Sequence, residues 1–117
     1  MSYDLSVGVK AEGCGAYVDV RSPEYDSPTY NLRDMFVACM DWDYEQRVVY
    51  SAADALPKIE RGISELRGHP EKYEKYAPEN GWGTLEDALE ALESWRECIY
   101  ETLADWDLPI SSAYVRW

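Results

Sequence analysis

Histidine and phenylalanine each appear once in this chain, cysteine appears three times, and 11 basic residues face 23 acidic ones. Each scarcity removes a class of protein. The lone His69 stands between Gly68 and Pro70, a setting for an exposed turn residue rather than a general base. Cys14, Cys39 and Cys98 are far apart, odd in number and without a CxxC pair, so neither a disulfide framework nor a zinc site is expected. They read as small buried hydrophobes in a reducing cytoplasm. No apolar run approaches the roughly 20 residues that span a bilayer. The opening residues MSYDLSVGVKAEG lack the charged and apolar regions of a signal peptide. Phosphate-cradling glycine loops and recognisable Ser or Cys nucleophile motifs are missing as well, so the expectation is a protein with no catalytic residues, no cofactor and no bound metal. Asp41-Trp42-Asp43-Tyr44-Glu45 places oxygen ligands like the start of a calcium loop, but Gln46 stands where that loop needs glycine and Ala52 where it needs glutamate.

What the chain does contain is aromatic area and negative charge. Ten Tyr and five Trp supply a core for one domain over residues 1–117, with some rings expected at a surface because their O–H and N–H groups need partners. The net charge of −12 is regional. Residues 79–107 carry nine acids (Glu79, Glu86, Asp87, Glu90, Glu93, Glu97, Glu101, Asp105 and Asp107) against Arg96 alone. Anionic lipid would repel such a face, and no membrane contact is expected.

Alternation of Tyr3, Leu5, Val7 and Val9, then of Ala16, Val18 and Val20, predicts two half-buried strands joined as a hairpin through Gly13 and Gly15. A loop with Pro23 and Pro28 follows. Leu32, Met35, Phe36 and Cys39 predict a helix over 31–40 with Asn31 as its N-cap. Residues 46–50 fit either a short strand or an extended approach to the next helix. Leu56, Ile59, Ile63 and Leu66 predict a helix over 55–67 with Pro57 in its first turn and Gly68 ending it. A further turn or two is expected after Pro70. Thr84 and Asp87 form a short-armed capping box for a last helix whose buried stripe reads Leu85, Leu89, Leu92, Ile99 and Leu103, flanked by Trp95. Residues 112–117 alternate again and predict a strand on the N-terminal hairpin. The expected fold is α+β, a small antiparallel sheet packed on three or four helices.

Two segments stand out as candidate sites. Glu86, Glu90, Glu93, Glu97 and Glu101 repeat at helical spacing, about 5 to 6 Å apart, close to the charge repeat along a nucleic-acid strand. A helix stabilised by its own surface would alternate signs there, whereas like charges oppose one another. The stripe is either a solvated face or a surface for a protein with a basic groove, with Asp41 and Asp43 adding contacts. Direct nucleic-acid binding through it is disfavoured. The second segment is Asn80-Gly81-Trp82-Gly83, where the indole either stacks on a planar ligand or folds onto the core, with Tyr30, Asn31 and Arg33 as further ligand contacts.

MSYDL, SPTYNLRDMF, ALPKIERGISEL, NGWGTLEDALEAL and YVRW, in that order, resemble a family of small proteins encoded in prophages and related mobile elements of gut bacteria. The resemblance implies a bacterial host cytoplasm and, by analogy with other small acidic phage proteins, a non-enzymatic inhibitor of host defence such as an anti-CRISPR protein, its partner possessing a basic groove. Two other readings stay open: a nucleotide-binding module built on the Trp82 loop, and a virion or assembly component.

Overall fold

The computed structural model describes residues 2–25, 27–81 and 83–117. Its elements run β1 (Ser6–Lys10), β2 (Tyr17–Arg21), α1 (Arg33–Met40), β3 (Val49–Ser51), α2 (Ala52–Gly68), α3 (Pro70–Tyr73), α4 (Leu85–Asp105) and β4 (Tyr114–Arg116), with short 3-10 turns at Tyr30–Leu32, Glu74–Tyr76 and Ile110–Ser112. The fold is α+β: one antiparallel sheet in the order β2-β1-β4-β3, with α1, α2 and α4 packed together behind it.

The hairpin turn closes through Ala11 N–H to the Ala16 carbonyl at 2.7 Å, with Gly13 and Gly15 at φ 86° and 69°, a region costly for other residues. Pairing of β1 begins only at Ser6, although Tyr3 and Leu5 continue the same buried alternation. Tyr3 instead donates its N–H to the Pro28 carbonyl at 2.8 Å, so period two here records burial rather than strand pairing. Residues 49–51 form an edge strand on β4, and β4 pairs with β1 on its other side, as the terminal alternation predicted.

Several helix ends differ from expectation. Thr29, not Asn31, caps the first helical turn: its hydroxyl accepts from Asn31 N–H at 3.3 Å, and α1 follows from Arg33. Ser51 caps α2, whose first residue is Ala52, and this moves Pro57 into the second turn. The helix tolerates it because Ala53, whose carbonyl loses its partner, and Pro57 are both exposed, leaving that carbonyl to water. Gly68 is the last residue of α2 rather than the stop beyond it. Along α4 the capping box of Thr84 and Asp87 is present, at 3.0 and 3.1 Å. Its buried stripe is centred on Trp95 with Ala88, Ala91, Leu92, Cys98, Ile99 and Thr102, while Leu89 and Leu103 are only partly buried. Glycine allows the close approach: a Cβ on Gly62 of α2 would stand 2.8 Å from Met40 of α1 and 2.9 Å from Leu92 of α4, so three helices meet at that glycine.

Trp117 anchors the aromatic core. Tyr44 stacks on it at 4.2 Å, Trp95 meets it edge-on at 4.0 Å, and Tyr3 and Phe36 close the ring at 5.5 and 5.6 Å. Among the described residues no helix is long and apolar enough to cross a membrane.

The cysteines divide by environment. Cys39 and Cys98 are buried and their thiols are pushed up to about 12 and about 11 by desolvation, whereas Cys14 lies exposed in the hairpin turn, contrary to the expectation of three buried thiols. Iodoacetamide at pH 8 should therefore alkylate the native protein once, at Cys14, and three times only after denaturation. Rapid native labelling of Cys39 or Cys98, read by intact mass, would contradict this packing.

Candidate functional site

On α4 the five glutamates fall within an arc of about 80° at 100° per residue, opposite the Trp95 side of the helix. Glu86, Glu90, Glu97 and Glu101 are exposed and Glu93 is intermediate. The row is not uniformly free. Glu93 pairs with Arg67 of α2 at 2.9 Å, and Arg21 at the end of β2 pairs with Glu101 at 3.3 Å and Asp105 at 2.5 Å. These pairs tie α4 to its neighbours at the middle and at the C-terminal end. Glu86, Glu90 and Glu97 have no ion pair among the described residues, and they form the available part of the row.

They do not stand on a bare ridge. The segment after β2 runs alongside α4, anchored where Tyr25 N–H donates to Ser94 Oγ at 2.9 Å. Between segment and helix lies an open trough of about 850 Å³, with Tyr25 and Leu89 as apolar lining and Glu24 facing the helix glutamates across it. Five carboxylates and one guanidinium, Arg96, line the trough, and one of the five is already neutralised by Arg67. The local field is negative. Burial, reinforced by Asp87 and Glu90, raises the pKa of the Tyr25 hydroxyl above its ordinary value.

Asp41 and Asp43 do not join this surface. They line a separate depression beside α1 with Arg33, Asp34, Val37, Ala38 and Tyr76, because the left-handed turn at Asp41 (φ 51°) carries the chain away from α4. Asp43 is also neutralised by Arg33 at 2.9 Å, and the Asp41 carbonyl accepts from Lys58 at 3.0 Å. The expected contribution of these two acids to the glutamate row is therefore corrected.

The second candidate set is brought together only in part. Gly83 packs on the first helical turn, where an added Cβ would lie 3.0 Å from both Leu32 and Thr29, so the 80–84 loop does reach the segment around Tyr30. Trp82 lies outside the described residues. Asn80 and Asn31 are exposed. Arg33 is already occupied: it donates to the Tyr44 carbonyl at 3.0 Å, pairs with Asp43 and lies 5.0 Å from the Tyr44 ring. These contacts direct Arg33 toward Asp43 and Tyr44. Tyr30 faces another depression, with Ser2, Asp4, Arg47, Arg116 and Trp117, and Arg47 and Arg116 are two residues the sequence did not single out.

Compared with known proteins, the chain matches no family model, no curated protein and no solved structure.

Proposed function

We propose that this chain is a non-enzymatic inhibitor that works in a bacterial host cytoplasm by occupying the basic nucleic-acid groove of a host defence protein, such as a CRISPR effector. The observation that carries the reading is the row Glu86, Glu90 and Glu97, exposed, without ion pairs among the described residues, and faced across an open trough by Glu24. Lysines and arginines that normally hold a phosphate backbone find carboxylates here one turn apart at Glu86 and Glu90 and two turns on at Glu97, and displacement of counterions favours association at low salt. Tyr25 and Leu89 add apolar contact for the stems of those long side chains. The resemblance to prophage-encoded proteins supplies the biological setting.

Reversing Glu90 and Glu97 together, Glu90→Lys with Glu97→Lys, tests it. These positions are preferable to Glu93, whose pairing with Arg67 would confuse a binding loss with a folding one. The partner captured from host lysate should bind the double variant about 100-fold more weakly, at roughly 1.4 kcal/mol for each reversed contact. Its circular dichroism and melting temperature should match the parent, and nucleic acid should compete for the parent's binding. Undiminished affinity after reversal, or indifference to competing nucleic acid, would refute the proposal.

A further inference from the structure

Cations are scarce in this chain, and most of the arginines are spent. Five of the seven arginines, Arg21, Arg33, Arg61, Arg67 and Arg116, pair with carboxylates. Of the other two, Arg96 lies in the acidic trough between Glu93 and Glu97. Arg47 is different: it is exposed, has no ion pair among the described residues, and holds a backbone φ of 62°. A residue with a Cβ adopts that left-handed conformation at a cost which glycine, asparagine or aspartate would largely avoid. Arginine here is unfavourable for the backbone and neutralises no carboxylate among the described residues.

Arg47 lines a depression of about 300 Å³ together with Arg116 of β4, Tyr30, Trp117, Ser2 and Asp4. Arg116 is held in place by Asp19 at 3.3 Å and by the Tyr17 ring at 5.2 Å, which leaves most of its five N–H donors unspent. Two guanidinium groups line one small concavity; Asp19 offsets the charge of Arg116 from outside it, whereas Arg47 has no ion pair among the described residues and only Asp4 as a carboxylate in the same lining. Trp117 contributes an indole whose Nε1–H is buried without an acceptor. The volume is at the lower limit for a small-molecule pocket. This depression shares no residue with the acidic trough.

We propose that the depression binds a small organic oxyanion, a phosphate monoester or a carboxylate, clamped between Arg47 and Arg116. Forked guanidinium donors match the paired oxygens of either headgroup. Tyr30, half-buried at the rim, provides flat apolar surface for the ligand's body, with only an edge of Trp117 reaching the floor, and Asp4 accepts from a hydroxyl or ammonium group on it. The site is independent of partner docking by α4, and either can fail without the other.

Nuclear magnetic resonance titration of the full chain with inorganic phosphate, and separately with acetate at matched ionic strength, tests the assignment. Saturable shifts at Arg47, Arg116 and the Trp117 indole are expected, and the stronger of the two anions identifies the headgroup. Arg47→Gly decides between binding and folding. Glycine suits φ 62°, so the melting temperature should hold or rise while anion affinity falls about tenfold or more. Arg96→Gln should leave the titration unchanged. Shifts that never saturate, that appear equally at Arg96 and Lys75, or that survive Arg47→Gly would overturn the proposal.

Discussion

Alanine at position 8 is expected to cost this protein a large part of its stability, at about 3 kcal/mol or more out of the 5 to 15 kcal/mol typical of a domain. Gly8 sits in β1 beside a register irregularity, where a Cβ would stand 2.1 Å from the Val18 carbonyl oxygen and 2.9 Å from two atoms of the Tyr17 ring. A side chain in the way can change rotamer, but a carbonyl of the neighbouring strand can move only if β1 and β2 separate. Tyr17 has little room to yield either, since its hydroxyl is held by Ser6 at 2.8 Å and Arg116 lies over its ring. Gly13→Ala is the control: nothing lies within 4 Å of its added Cβ, and only the φ of 86° opposes it, at about 1 to 2 kcal/mol. Urea unfolding of the two variants should separate them clearly, and equal midpoints would show that the sheet yields more readily than its packing implies.

Trp117→Ala is expected to be comparably severe, about 3 to 5 kcal/mol. The indole is 2% exposed and touches Tyr3, Phe36, Trp42, Tyr44 and Trp95, so its removal opens a cavity bounded by rings that cannot collapse into it. Trp117→Phe should behave differently. It loses packing area, but it also removes a buried Nε1–H that has no acceptor, a burden of about 1 to 3 kcal/mol. Most of the stability should survive, while the near-ultraviolet circular dichroism from the Tyr44 and Trp117 stack weakens. A phenylalanine variant as unstable as the alanine one would mean that the indole nitrogen is satisfied through its contact with Trp95.

How much of this was legible from residues alone depends on the range of the interaction involved. The capping box at Thr84 and Asp87, the hairpin glycines and the angular alignment of the five glutamates are set within a few residues, and they read correctly. The 52–54 turn was missed because Ser51 as N-cap lies beyond the first obvious apolar repeat at Leu56. Leu89 and Leu103 are only partly buried on α4, since hydrophobicity alone does not reveal that the helix turns the small residues Ala88 and Ala91 to the core alongside Leu92 and Trp95. What the glutamate row meets was not legible. Arg21 and Arg67 reach it from 80 and 26 residues away, Glu24 faces it from a loop, and Arg33 turns to Asp43 rather than toward Asn80. Such pairings follow from tertiary folding, and periodicity carries no trace of them.

The strand order also bears on how this protein is made. Residues 114–116 insert between residues 6–8 and 49–51, so during synthesis β3 and one edge of β1 wait unpaired until that stretch leaves the ribosome, although β1 can already pair with β2. Contacts among α1, α2 and α4 are made directly between the helices and can begin earlier, with β4 and Trp117 completing their core. The nascent chain should therefore pass through a stage with the helices and the β1–β2 hairpin formed but the β4-facing edges of β1 and β3 open, and its exposure to chaperones and proteases should end when Val115 and Trp117 dock.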